Sequence, residues 1–210
     1  MLKWILTALC TASSLLLCLP KYVGKAQPRL VWKCLGTASA LPMAVYGAVT
    51  HGGSAWLCVA ALILSAAADV MLEKQFIAGM ALFASAHICY ITWFLLRRSP
   101  DLMHLAAFAV LAFVAGIVIY NWSPLMKSRF IPYCIYGFIL CLMGACAVGL
   151  APEKSLSAIL AAIGGIAFVI SDILVCKGTL MRVTTSHHWI TMSLYYGAQL
   201  CFGASCALMK

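Results

Sequence analysis

The sequence predicts an all-α integral membrane protein, one transmembrane domain over residues 1–210 with eight transmembrane helices. Three observations lead there. Hydrophobic side chains make up 65% of the chain and charged ones 9%, with a mean hydropathy of +1.03; in an ordinary soluble domain about a quarter of residues are charged. Apolar runs close to the roughly 20 residues that cross ~30 Å of hydrocarbon recur along the whole chain. The connections between them are short and hold the turn formers and charges, as in "KYVGKAQPR", "HGGS", "RRSPD", "NWSPLMKSR" and "APEKS", which leaves no stretch for a soluble domain or a low-complexity linker.

The runs fall at about residues 2–19, 30–50, 54–72, 76–96, 102–120, 130–150, 155–176 and 187–208. The first has the basic start and apolar stretch of a secretory signal, but no clean small-x-small cleavage pattern follows it and seven similar runs come after, so it is read as a span. The second opens on "WKCLG" with Lys33. The third ends in "LSAAADVMLEK" and the seventh holds "AAIGGIA"; their small residues let these two helices pack closely. The 11 cysteines are odd in number and lie almost entirely inside apolar runs, where they pack as small soft hydrophobes, so no disulfide framework is expected. Neither a CxxC nor an HExxH spacing occurs, and no metal or other cofactor is expected.

Net charge is +9, which in this setting fits basic loops facing anionic lipid headgroups and not nucleic acid. If the spans alternate, one face collects Lys21, Lys25, Arg29, Lys33, Lys74, Lys127, Arg129, Lys177 and Arg182. The other has Lys3, Arg97, Arg98, Lys154 and Lys210. The positive-inside rule then makes the first face cytoplasmic. The expected setting is a multi-pass protein of a bacterial inner membrane or a eukaryotic endomembrane.

An internal repeat is visible. "AADVMLEK" (67–74) matches "ISDILVCK" (170–177), a step of 103 residues from Asp69 to Asp172. "GMALFASAHICY" (79–90) matches "TMSLYYGAQLCF" (191–202) at a step of 112, with His87 facing Gln199 and Phe83 facing Tyr195. Two neighbouring matches in one order predict duplication of a four-helix unit, with halves of about 1–98 and 99–210. Four is even, so the copies run parallel about an axis along the membrane normal, and both aspartates lie at one depth.

The chain has five acidic residues: Asp69, Glu73, Asp101, Glu153 and Asp172. Glu73, Asp101 and Glu153 sit at run ends beside basic residues and read as interfacial. Asp69 and Asp172 lie inside their runs, where a carboxylate is costly and by default functional; the bland alternative is a packing hydrogen bond or a snorkelling side chain. Lys33 shares their face and could pair with one of them, or serve as an ordinary interface lysine. His87 and Tyr90 share a helix face at i and i+3, as do Tyr196 and Gln199. A membrane histidine is more often packed than reactive, but the repeat places an amide at the equivalent position. Met80, Met192 and the Phe and Trp residues read as packing, and His187 and His188 as interfacial.

Taken together, "LSAAADVMLE", "GMALFASAHICY", "FVISDILVCK" and "SLYYGAQL", with Lys33 and the Tyr136 of "PYCIYGFILCLMG", resemble the YhhN-type lysoplasmalogenases from about residue 30 to 205. One departure is Ala68, where that family usually has Gly before the aspartate. The resemblance implies hydrolysis of the vinyl ether bond of lysoplasmalogens to a fatty aldehyde and a glycerophosphoethanolamine or glycerophosphocholine. Asp69 and Asp172 would be catalytic, and Lys33, His87, Tyr90, Tyr136, Tyr195, Tyr196 and Gln199 would bind the lysophospholipid. Basic residues at the cytoplasmic rim suit its phosphate. Vinyl ether cleavage needs an acid to protonate the alkene carbon and a second carboxylate to steady the cation or activate water. Two rivals remain open: a proton-coupled transporter using the same aspartates, and a metal-dependent hydrolase with Asp69, His87 and Asp172 as ligands.

Overall fold

A computed structural model of the chain describes residues 36–209. The first expected span and Lys33 lie outside the described residues. Among the described residues there is no strand, and seven α-helices follow one another: α1 Leu41–His51, α2 Ala55–Lys74, α3 Phe76–Arg97, α4 Leu102–Met126, α5 Phe130–Val148, α6 Leu156–Leu180 and α7 Thr185–Ala207. Short 3₁₀ turns, Lys127–Arg129 and Ala151–Glu153, flank α5.

Among the described residues, four helical stretches are long and apolar enough to cross a membrane: 55–74, 76–97, 102–153 and 156–180. The third is the run that contains α4 and α5. α1 has 11 residues, too few to span alone, and is preceded by a helical turn at 36–38. α7 is diluted by Thr185, Ser186, His187, His188 and Gln199.

α2 and α3 form a tight antiparallel pair joined by Gln75 alone, whose extended backbone breaks the helix. Gly79 makes the pair possible: a Cβ there would stand 2.6 Å from the Leu72 amide nitrogen. α6 and α7 form the other close pair, α1 packs on α7 and α2, and α5 packs on α3 and α6. Between the pairs lies an aromatic core in which Tyr90, Trp93, Phe94, Phe168 and Phe202 are fully buried.

α4 lies outermost. Only its end residues His104 and Met126 are buried, and Val110, Phe113 and Tyr120 point outward, as expected of a surface facing lipid tails and not water. At its start, Asp101 and His104 form a reciprocal capping box that satisfies helix amides left without partners. Hydrogen bonds from His104 and Arg98 hold the Asp101 carboxyl well below the usual carboxylate range. At the same end the Arg97 guanidinium donates to Ser205 at 3.0 Å and Ser157 at 3.1 Å, lies 3.5 Å from Glu153 and sits over the Trp93 ring. This network ties α3, α6 and α7 together, so the site described next is framed from the far end of the bundle.

Candidate active site

On α2 the buried positions Cys58, Ala61, Leu62, Ser65, Ala68 and Asp69 repeat at helical spacing, so the stripe that buries the helix also carries Asp69 inward, 7% exposed. One of its oxygens, Oδ2, accepts from the Thr37 hydroxyl at 2.6 Å and from the Tyr195 hydroxyl at 2.9 Å. Thr37 thus ties the chain before α1 to α2, and Tyr195 ties α7 to it.

Asp172, on α6, is held differently. Tyr136 of α5 donates its hydroxyl to Asp172 Oδ2. His87 of α3 places Nε2 3.0 Å from the same hydroxyl and 3.6 Å from the carboxylate oxygen. The imidazole is fully buried, wedged edge-on against Phe168, and its Nδ1 has no hydrogen-bond partner among the described residues. A buried polar atom without a partner is rare and marks a place where a water or ligand atom fits, or where structure is held for function.

Asp69 and Asp172 line one partly open cavity of about 140 Å³. Tyr133, Tyr136 and Tyr195 supply its other polar groups, and the rest of the wall is mostly apolar, with Phe76, Met80, Leu140 and Ile173 among its members. Each water needs about 10–15 Å³ of such space, so water fits beside an organic substrate. An apolar recess with a few convergent polar groups is the usual form of a small-molecule site. Among the described residues no group of three His, Cys, Asp or Glu side chains could hold a metal ion.

Of the residues singled out from the sequence, Asp69, Asp172, Tyr136 and Tyr195 meet at the cavity wall. His87 stands behind Tyr136. Tyr90 donates to Gln199 Oε1 at 2.7 Å, and the two are buried one helical turn away among Phe94 and Phe202, off the cavity wall. Tyr196 packs on the Tyr195 ring and against Gly36, also off the wall. Thr37 and Tyr133 were not foreseen. Tyr133 had a readable signal, since it precedes Tyr136 by one turn on the same face. Thr37 had none beyond its nearness to Lys33.

The chain matches the YhhN family over residues 28–206. Similar proteins include lysoplasmalogenase TMEM86B of Rattus norvegicus, 32% identical over 157 residues, or 73% of this chain and 63% of the relative. The Homo sapiens protein of that name is 32% identical over 152 residues, 71% and 62% of the two chains. The Mus musculus protein is 31% identical over 157 residues, 73% and 65%. The chain therefore spans a little under two thirds of the length of these relatives. No solved structure matches it. The family match encloses both aspartates and every described residue of the cavity wall, and the chain belongs to the YhhN family.

Proposed function

We propose that the protein hydrolyses the vinyl ether bond of lysoplasmalogens, with Asp69 and Asp172 exchanging protons in the cavity. The observation that carries this reading is the meeting of two carboxylates, each bonded to a tyrosine hydroxyl, on one largely apolar wall. The relatives named lysoplasmalogenase point the same way.

The chemistry closes on itself. One aspartate gives its proton to the alkene carbon remote from the ether oxygen, forming a C–H bond and leaving an oxocarbenium ion. Water adds to the carbon that bears the oxygen, and its spare proton passes to the other aspartate. When the hemiacetal collapses, its hydroxyl proton returns to the first aspartate and the second gives its proton to the departing glycerol oxygen. Fatty aldehyde and glycerophospho-alcohol leave, and both carboxyl groups end as they began. Positioned acid–base groups of this kind contribute about 10²- to 10⁴-fold each.

The same reading includes eight spans in two parallel four-helix halves. Its support is the packing: the close pair α2 with α3 answers α6 with α7, and α1 on α7 answers α5 on α3. Each aspartate likewise takes one bond from the helical region before it and faces one residue of the opposite half.

The test is aldehyde release by purified protein in detergent, with a lysoplasmalogen and its saturated ether analogue. The vinyl ether should yield aldehyde and the analogue, which has no alkene to protonate, none. In sealed vesicles, movement of the lipid across the bilayer without aldehyde would instead indicate transport.

A further inference from the structure

Below the aspartates the cavity has a second polar pole that the hydrolysis does not use. Tyr133 and Phe76 line the cavity there, and their rings lie 5.9 Å apart. The Tyr133 hydroxyl is 2.9 Å from Thr179 Oγ1, and Thr179 gives its own proton to the Cys176 carbonyl at 2.8 Å, so Tyr133 is the donor of the pair. The Arg129 guanidinium rests over Phe76, 5.4 Å from the ring centroid, and reaches toward the Tyr133 hydroxyl. Arg129 is exposed, and no carboxylate among the described residues pairs with it. The helix ends around it add Lys74, Lys127 and Lys177 against one acid, Glu73.

We infer that Arg129, with Tyr133, binds the phosphate of the lipid and so sets how deep the vinyl ether lies. This rests on the activity proposed above and names a residue for its headgroup. A guanidinium presents a rigid fork that matches two phosphate oxygens, which a lysine ammonium does not, and the Tyr133 hydroxyl adds a donor when its proton turns from Thr179 to the phosphate.

The spacing fits. Arg129, Tyr133 and Tyr136 recur at i, i+4 and i+7, one face of the same helical stretch, and seven residues rise about 10 Å. Six bonds separate the vinyl ether carbon from phosphorus, roughly 7–8 Å when extended at about 1.25 Å per bond. A forked pair with N···O of about 2.8 Å adds the remainder. Phosphate on Arg129 therefore brings the vinyl ether level with Tyr136 and Asp172, and the alkenyl tail continues along Leu140 and Val169.

The test compares wild type with Arg129→Gln, Arg129→Lys and Tyr133→Phe. Binding is measured first with two uncleavable ligands, a 1-O-alkyl lysophospholipid and the 1-O-alkylglycerol that lacks its phosphate. Wild type should prefer the phosphorylated ligand. Arg129→Gln should lose roughly ten- to a hundredfold of that preference, the range for a hydrogen bond to a charged group, with Arg129→Lys recovering part and Tyr133→Phe losing less. Binding of the alkylglycerol should not change. With the cleavable pair, Arg129→Gln should raise KM for the lysoplasmalogen and lower its kcat toward that of the alkenylglycerol, because the vinyl ether is no longer held at one depth. An undiminished preference for phosphate in Arg129→Gln, or equal losses with both ligands, overturns the assignment. Absence of aldehyde from wild type would overturn the activity and leave the binding result to stand or fall alone.

Discussion

Asp69 and Asp172 face one cavity from the two halves of the chain, yet the groups behind them differ. Among the described residues, Asp69 accepts from two hydroxyls, Thr37 and Tyr195. Asp172 is held by Tyr136 with the His87 imidazole beside it. A hydroxyl has one proton to give, whereas an imidazole offers two nitrogens that differ in donor and acceptor role. The two carboxylates thus share a tyrosine partner and differ in a group beside it, a hydroxyl at Asp69 and an imidazole at Asp172. If the halves are copies, divergence fell on His87 and Gln199, the residues at the equivalent position: one reaches a carboxylate, and the other is bonded to Tyr90.

The largest expected effect removes the comparison altogether. Asp69→Asn and Asp172→Asn should each lose nearly all aldehyde release, at least the 10²- to 10⁴-fold of a general acid or base, while remaining folded and membrane-inserted. The double variant should be hardly slower than either single one, because groups acting as a unit are strongly non-additive. Turnover of the wild type should follow a bell-shaped pH profile whose limbs belong to the pair. Full activity in either Asn variant, at matched expression, would reduce that aspartate to a packing residue.

A smaller effect sharpens the asymmetry. His87→Ala should slow turnover by roughly ten- to a hundredfold, the scale of a hydrogen bond to a charged group. Combined with Asp172→Asn it should add little, since both act on one carboxylate. Thr37→Val should cost no more than about tenfold, because Tyr195 still holds Asp69. Rates for His87→Ala as low as for an aspartate variant would mean that the imidazole itself is the acid.

How much of this was readable beforehand follows from what lipid demands of a sequence. A helix in hydrocarbon must be apolar along its length, so the boundaries of α2, α3 and α6 stand out in the chain, and a lone carboxylate within such a run is conspicuous. That is why Asp69 and Asp172 could be picked out. Hydroxyls carry no such mark. Thr37, Tyr133 and Thr179 are ordinary in apolar helices, and only the packing of distant segments makes them partners. Helical spacing also grouped His87 with Tyr90 on one face, which is true of α3, but the cavity is shorter than the face. One turn, about 5 Å, separates the imidazole that reaches Asp172 from the phenol that does not.

The smallest effect tests that separation. Tyr90 is fully buried, and its hydroxyl gives Gln199 Oε1 its 2.7 Å bond. Gln199 is itself fully buried, and its Nε2 has no hydrogen-bond partner among the described residues. Tyr90→Phe keeps the ring that packs on Phe94 and Phe202 and takes from the amide oxygen its Tyr90 partner. Stranding a buried polar group costs about 1–3 kcal/mol, so the variant should unfold more readily in a detergent melt. Per folded molecule, however, aldehyde release should stay within about threefold of wild type, less than one ordinary hydrogen bond's worth, because the lost bond touches neither carboxylate. A collapse in turnover at unchanged stability would show that the Gln199 amide acts through the neighbouring Tyr195 on Asp69. Both halves would then keep a polar relay behind their aspartate, and the difference between them would be one of residue type alone.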